Sequence, residues 1–164
     1  MIPNINRYFR LLVILLLSIS CKSNHYNDLP SDFAFCLKGE TNTINTFDST
    51  LTRRYYKNNK TIKITFSKAN LASIYKNYIN LGLDDLPDNY NPKVRSSMPA
   101  FVDNFTIRIN GKTKSIVYSS DFTCIKFKDK YYYLKLKIFF SSLHEIINNN
   151  VDYNSIEKSN VILR

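Results

Sequence analysis

The sequence predicts an α+β fold in which an antiparallel sheet of hairpins carries two helices packed on one face. Several short segments alternate apolar and polar residues with the period of two that β-strands show. An Asn-Gly pair separates two such segments at Asn110-Gly111. Two further segments repeat apolar residues at helical spacing. The predicted order is β-β-β-α-β-β-(β)-α, with no internal repeat and no second domain.

Three strands are predicted in the first half of the chain. Phe33, Phe35 and Leu37 alternate with smaller or polar residues until Gly39 ends the pattern. The predicted strands are 33–38, 51–56 and 61–66, with 40–46 as a polar connection and 58–59 as a turn.

The next segment has the pattern of an amphipathic helix. Ser67 is placed to cap its N-terminus, because a serine hydroxyl can accept a free backbone N–H of the first turn. Gly82 is placed to end it. The apolar residues between them are Leu71, Ile74, Tyr75, Tyr78 and Ile79. A loop with three prolines is predicted over 83–99.

The second half predicts a hairpin and a final helix. Strands 101–109 and 112–119 flank Asn110-Gly111, which tolerates the positive φ angles of a type I′ turn. The segment 121–130 is ambiguous, and its one interpretation is another strand, containing Cys124, Ile125 and Phe127. Residues 131–137 alternate like a strand, but the longer apolar pattern favours a helix over 133–148.

The N-terminal segment has the composition of a secretory signal. Arg7 and Arg10 precede an apolar run that ends at Leu17, and Ser18 to Ser20 lead to Cys21. The rival interpretation is an uncleaved transmembrane anchor, which needs about 20 apolar residues. Because polar residues follow Leu17 so closely, a cleaved signal is the favoured interpretation.

The residues Ser18-Ile19-Ser20-Cys21 resemble the lipobox of bacterial lipoproteins, in the relaxed form found in Bacteroidota-type bacteria. The commonest lipobox has Leu at the place of Ser18. The resemblance implies that the thiol of Cys21 is acylated and becomes the first residue of the mature protein. Lys22, in place of Asp, implies anchoring in the outer membrane, facing the periplasm. The predicted divisions are a signal peptide 1–20, a tether 21–31, a domain 32–150 and a C-terminal extension 151–164.

The chain is basic, with a formal net charge of +10. Such a balance favours an anionic partner. The lysines are scattered over several segments, which is more typical of a solvated surface than of one anion site. For an exported protein we expect an envelope protein or an anionic envelope polymer as partner, besides the membrane through Cys21, and no nucleic acid.

Few residues suggest catalysis. His144 is the sole histidine of the predicted domain, and no second histidine stands four residues away, as the common zinc protease motif requires. Asp84, Asp85 and Asp88 cluster in a loop where they are expected to stay solvated. The chain has three glycines, which are far apart, so it contains neither a phosphate-binding loop nor the glycine-rich motif of dinucleotide-binding folds. The sequence therefore predicts no cofactor, no metal and no catalytic residue.

Two cysteines remain after processing, Cys36 and Cys124. An oxidising compartment permits a disulfide between them. Two separately buried thiols are an equal alternative. Zinc is disfavoured, because two distant cysteines lack the usual ligand spacing.

Tyrosines mixed with basic residues mark a candidate binding surface. Tyrosine is favoured at interfaces, and binding residues concentrate on loops. The residues are Tyr55, Tyr56, Tyr131, Tyr132, Lys93 and Arg95. The alternative is that half of each tyrosine cluster faces the core.

Two short stretches carry further resemblances. Asp48-Ser49-Thr50 resembles the acceptor for O-glycosylation in exported Bacteroidota proteins, which implies modification of Ser49. The stretch Gly39–Arg54 resembles a Gly…Asp-Thr-Phe…Thr-Lys pattern in small lipoproteins of no assigned function. The second resemblance bears on the fold alone.

These observations together favour a membrane-anchored, non-enzymatic binding or interaction module of the cell envelope. The alternative is an envelope enzyme of an unfamiliar type that acts on an envelope polymer, through His144 or the cluster Asp84, Asp85 and Asp88. A purely structural envelope component is the third interpretation.

Overall fold

A computed structural model describes residues 28–92, 102–120 and 127–161. The signal segment, Cys21, most of the tether, Lys93, Arg95 and Cys124 lie outside the described residues. One seven-stranded sheet contains β1 (Ala34–Lys38), β2 (Asn42–Asn45), β3 (Thr50–Arg54), β4 (Asn59–Lys63), β5 (Asn89–Tyr90), β6 (Val102–Ile109) and β7 (Lys112–Ser119). Their order in the sheet is β4-β3-β2-β1-β6-β7-β5. All neighbouring strands pair antiparallel except β5 and β7, which pair in parallel. The α+β class with a mostly antiparallel sheet is thus confirmed.

The other described elements are helical. The helices are α1 (Lys68–Asn80), a 3-10 helix (Leu83–Asp85), α2 (Phe127–Asn148) and α3 (Val151–Ser155). Among these described helices, none has the length and apolar character needed to cross a membrane.

One row of apolar side chains crosses the whole sheet. In strand order the row is Ile62, Leu51, Ile44, Leu37, Phe105, Ile116 and Tyr90. Because side chains alternate along a strand, the residues beside this row point to the opposite face. That opposite face is polar, with Thr43, Thr52, Thr61, Thr106 and Ser115 exposed or half-buried. The core therefore lies on one side of the sheet, under the helices.

Helices α1 and α2 pack together over the apolar row. The rings of Tyr78 and Phe139 lie 5.8 Å apart, and the Asn77 side chain donates a 2.8 Å hydrogen bond to the Ser142 hydroxyl. The Ser67 hydroxyl accepts a hydrogen bond from the Asn70 backbone N–H, as predicted for the N-cap. Gly82 follows the helix in the left-handed conformation, with φ of 63°, so the predicted ends of α1 are confirmed.

The Asn110-Gly111 turn is also as predicted. Asn110 and Gly111 have φ of 50° and 74°, the left-handed values of a type I′ turn. The Asp32 carboxylate accepts hydrogen bonds from both backbone N–H groups, at 2.9 and 2.6 Å. The bond from Gly111 is the main reason that the pKa of Asp32 is lowered. The start of the domain is thereby tied to the hairpin tip.

Several element predictions were wrong in detail. The predicted connection 40–46 contains β2. The sequence did not indicate this strand, because Ile44 is its single apolar residue and no alternation of apolar and polar residues is visible. Helix α2 begins at Phe127 rather than near 133, so 131–137 is helical despite its strand-like alternation. The predicted loop 83–99 contains the 3-10 helix and β5.

The segment after residue 150 packs onto the domain. Ile156 is 4% exposed and belongs to the core. Arg53 on β3 is equally buried and donates hydrogen bonds to the carbonyls of Ile156 and Glu157, at 2.7 and 2.8 Å. Its guanidinium lies 4.6 Å from the ring centre of Tyr153. Arg53 thus holds the segment predicted as an extension against the sheet.

Candidate functional site

A cleft of about 510 Å³ opens between α1, the 3-10 helix and the β6–β7 hairpin. Its apolar wall consists of Ile79, Ile107 and Ile109. Its polar lining includes Tyr78, Asp84, Asp88, Lys112 and Lys114. This combination of an apolar wall with a few polar groups is typical of small-molecule sites.

The fold explains how these side chains meet. Ile107 and Ile109 lie on the same face of β6 as Phe105, and Lys112 and Lys114 lie on the same face of β7 as Ile116. Residues 105 and 116 belong to the row under the helices. The cleft is therefore the continuation of the core face toward the hairpin tip, beyond the end of α1.

Lys114 fixes one wall of the cleft. Its ammonium donates hydrogen bonds to the backbone carbonyls of Asp84 and Leu86. The backbone N–H of Ser115 also donates to the carbonyl of Asp88, at 2.7 Å. These bonds hold residues 84–88 against β7, so the two aspartates are presented from a supported segment.

Tyr78 is the unusual residue of this cleft. Its side chain is fully buried, and its hydroxyl has no hydrogen-bond partner. Burial raises its pKa, and the charges of Asp84 and Asp88 raise it further. The hydroxyl therefore stays protonated and can donate a hydrogen bond. An unmade hydrogen bond at a buried polar group costs about 1–3 kcal/mol, so a polar ligand atom that completed it would bind favourably.

The lining indicates the chemistry of a ligand. Asp84 and Asp88 supply carboxylates, Lys112 supplies an exposed ammonium, and the isoleucines supply an apolar surface. A small molecule with a positive group, a negative group and an apolar part complements this set. The sequence predicted that all three aspartates of this segment are solvated. Asp85 and Asp88 are exposed, whereas Asp84 is half-buried. Asp84 and Asp88 line the cleft, and Asp85 is not among its lining residues.

A second polar cluster joins β6 and α2. The Nε2 atom of His144 lies 3.6 Å from an Asp103 carboxylate oxygen. One carboxylate oxygen of Glu40 is buried without a hydrogen-bond partner. Burial raises the pKa of Asp103, His144 opposes this shift, and Glu40 adds to it. The 3.6 Å separation exceeds hydrogen-bond distance, and the His144 side chain is 44% exposed, so the two groups are not aligned as an acid–base pair.

Replacing Asp103 by asparagine is expected to stabilise the protein at neutral and higher pH, because it removes a carboxylate whose charged form is disfavoured by burial. A raised pKa means that ionised Asp103 destabilises the folded state above that pKa, and that the penalty fades as the pH falls through it. The gain should therefore be present at pH 8 and small near pH 4. Thermal denaturation of D103N at both values measures this, with exposed Asp85→Asn as the charge-matched control. A loss of stability at pH 8 would contradict the expectation.

The structure separates the two predicted tyrosine clusters. Tyr55 and Tyr56 lie between β3 and β4, beside a second cleft of about 440 Å³ that Lys57, Lys60 and Asn160 also line. Tyr132 packs against Tyr90 of β5, with ring centres 5.9 Å apart. Since β4 and β5 form opposite edges of the sheet, the clusters do not form one surface.

Ser49 and Cys36 lie on or near the polar side of the sheet. Ser49 is exposed in the turn before β3, with φ of 57°. Its glycosylation stays a prediction. Cys36 is half-buried, and burial raises the pKa of its thiol. Cys124 lies outside the described residues, so the proposed pairing of the two cysteines also stays a prediction.

Within residues 28–92, 102–120 and 127–161, no group of three His, Cys, Asp or Glu side chains is arranged to hold a metal ion. Comparison of the chain with protein-family models, with curated proteins and with solved structures finds no match.

Proposed function

We propose that the protein is a lipid-anchored, non-enzymatic binding module of the cell envelope, whose ligand occupies the cleft beside Tyr78. The observation that carries the proposal is that Tyr78, a residue that lines the cleft, has a buried hydroxyl without a hydrogen-bond partner. A folded protein seldom leaves such a group unpaired, and each exception calls for an explanation. Ligand binding supplies one.

The ligand is proposed to be a small zwitterion with an apolar part. Its positive group would face Asp84 and Asp88, and its apolar part would lie along Ile107 and Ile109. An acceptor atom of the ligand would take the hydrogen bond from Tyr78. Because the bonds of Lys114 already fix the acidic wall, binding would require little ordering of the protein.

Tyr78→Phe tests the proposal. Removing an unpaired buried hydroxyl is expected to leave the ligand-free protein as stable or about 1 kcal/mol more stable. The same change should weaken ligand binding at least about fivefold, since about 1 kcal/mol of hydrogen bonding is lost. The protein is titrated with free amino acids and dipeptides as zwitterionic probes. Binding is measured from the NMR chemical shifts of the protein and from its thermal denaturation temperature.

Tyr55→Phe is the matched control, because the Tyr55 hydroxyl donates a 2.6 Å hydrogen bond to the Glu157 carbonyl, near the opposite edge of the sheet from the cleft. It should lose stability and keep probe binding. Binding that is unchanged in Y78F, or probes that perturb signals only outside the cleft, would refute the assignment of the site.

The anchoring part of the proposal has a separate test. Its support is the apolar run before Cys21 and the lipobox resemblance. The intact mass of the full chain from bacterial membranes should equal residues 21–164 plus an acylated glyceryl group. Cys21→Ser should abolish the modification, whereas Cys36→Ser should keep it. An unmodified, uncleaved mass would refute the anchoring and leave the cleft proposal to its own test.

A further inference from the structure

Helix α2 carries apolar side chains on its outer face as well as on its inner face. Tyr131, Leu134 and Ile138 are 61%, 51% and 58% exposed. Their spacing of three and four residues places them on one side of the helix, where they form a continuous stripe. We call this the outer stripe. The opposite side of α2 carries Leu136, Phe139 and Leu143, each 1% exposed, in the core.

Basic residues border the outer stripe. Lys130 and Lys137 are exposed beside it, and the Lys135 ammonium lies 4.4 Å from the ring centre of Tyr131. The nearby Asp129 is not exposed, and its carboxylate accepts a hydrogen bond from the Tyr90 hydroxyl at 3.5 Å. The exposed face from 130 to 138 is therefore apolar and positively charged.

The composition of this exposed face favours a membrane over a protein as its partner. Lysine is depleted at protein–protein interfaces, where long flexible charges are costly to bury. An apolar helix face bordered by lysines is instead the pattern of helices that lie in the interfacial layer of an anionic bilayer. There the lysine ammonium groups meet lipid headgroups while their carbon chains and the aliphatic residues enter the acyl boundary.

We propose that the outer stripe of α2 docks on the anionic surface of the membrane that anchors the chain. Proximity to that membrane rests on the proposed acylation of Cys21. The short segment from Cys21 to Asp28 spans at most about 25 Å when fully extended. The domain is then confined near the bilayer, which favours a weak contact made by only three apolar side chains.

The chain contains no tryptophan, so a single introduced tryptophan reports on one place. We would place the full chain carrying Leu134→Trp in vesicles of phosphatidylcholine, with or without phosphatidylglycerol, and with brominated acyl chains as quenchers. The matched control is Val151→Trp, because Val151 is 82% exposed on α3 and lies off the stripe. In anionic vesicles we expect a blue shift and several-fold stronger quenching at position 134 than at 151.

Charge reversal provides the second measurement. Lys130→Glu with Lys137→Glu should remove the quenching at position 134, whereas Lys57→Glu with Lys60→Glu, beside the second cleft, should keep it. Raised salt should weaken the quenching, because the contact is partly electrostatic.

Two results would overturn the proposal. Equal quenching at positions 134 and 151 would mean that the stripe does not face lipid. A blue shift at 134 without quenching by brominated lipid would mean that another part of the chain or a second copy covers it. Intact mass on the same sample decides the state of Cys21 separately, so a failure of the anchoring and a failure of the docking face are distinguishable.

Discussion

Phe105→Ala is expected to lower the free energy of unfolding by about 3–5 kcal/mol. Phe105 is fully buried and is the fifth of the seven residues of the apolar row. Its ring lies 5.2 Å from that of Phe139 and 5.8 Å from those of Phe35 and Phe140. The change removes the hydrophobic transfer energy of a whole ring and leaves a cavity between the sheet and α2, which the surrounding strands can fill only in part.

Chemical denaturation followed by circular dichroism measures this loss. Val102→Ala is the matched control, because Val102 lies on the same strand and is 38% exposed on the polar face. It should cost less than about 1 kcal/mol. Similar losses for both variants would mean that the core does not lie on one side of the sheet.

The elements that the sequence predicted well have local signals. The type I′ turn depends on Asn110 and Gly111 themselves, and the ends of α1 depend on Ser67 and Gly82. In these cases the residues that determine the conformation are neighbours in the chain. Their chemistry can therefore be interpreted without knowledge of the fold.

The elements that the sequence missed depend on distant partners. Strand β2 exists because Ile44 pairs with Leu37 of β1 and Leu51 of β3, and nothing within 42–45 signals this. The strand-like alternation at 131–137 is overridden because the inner face of α2 packs on the sheet through Tyr133 and Leu136. Tertiary contacts decide between helix and strand where local patterns conflict.

The candidate cleft was missed for a similar reason. Tyr78 fits the apolar pattern of α1, and a buried tyrosine there is indistinguishable from a core residue until its hydroxyl partners are known. The nearby cluster Asp84, Asp85 and Asp88 was visible in the sequence, but only the fold shows that Asp84 and Asp88 line the same cleft as Tyr78. The sequence did contain one signal of this cleft. Position 78, on the core face of α1 and shortly before the acidic cluster, is a tyrosine rather than a fully apolar phenylalanine.

Arg53→Met is expected to lower the free energy of unfolding by about 3 kcal/mol and to release the segment after residue 150. The Arg53 guanidinium donates to the Asn42 side chain at 2.7 Å and to the carbonyls of Ile156 and Glu157. Methionine fills much of the same volume but donates no hydrogen bond, so these acceptors would lose their partner. The Ile156 carbonyl is most affected, because its bond to Arg53 is buried.

Arg54→Met separates this effect from a general loss of charge, because Arg54 is the neighbouring residue and is exposed. It should change the stability by less than about 0.5 kcal/mol. Limited proteolysis provides the second readout: R53M should be cut after residue 150 much faster than R54M, because freed backbone is the preferred substrate of proteases. If R53M unfolds at the same denaturant concentration as R54M and resists cleavage equally, then the C-terminal segment is held by its other contacts, such as the burial of Ile156 and the Tyr55–Glu157 hydrogen bond, and not by Arg53. That result would mean that no single buried charge determines the position of this segment.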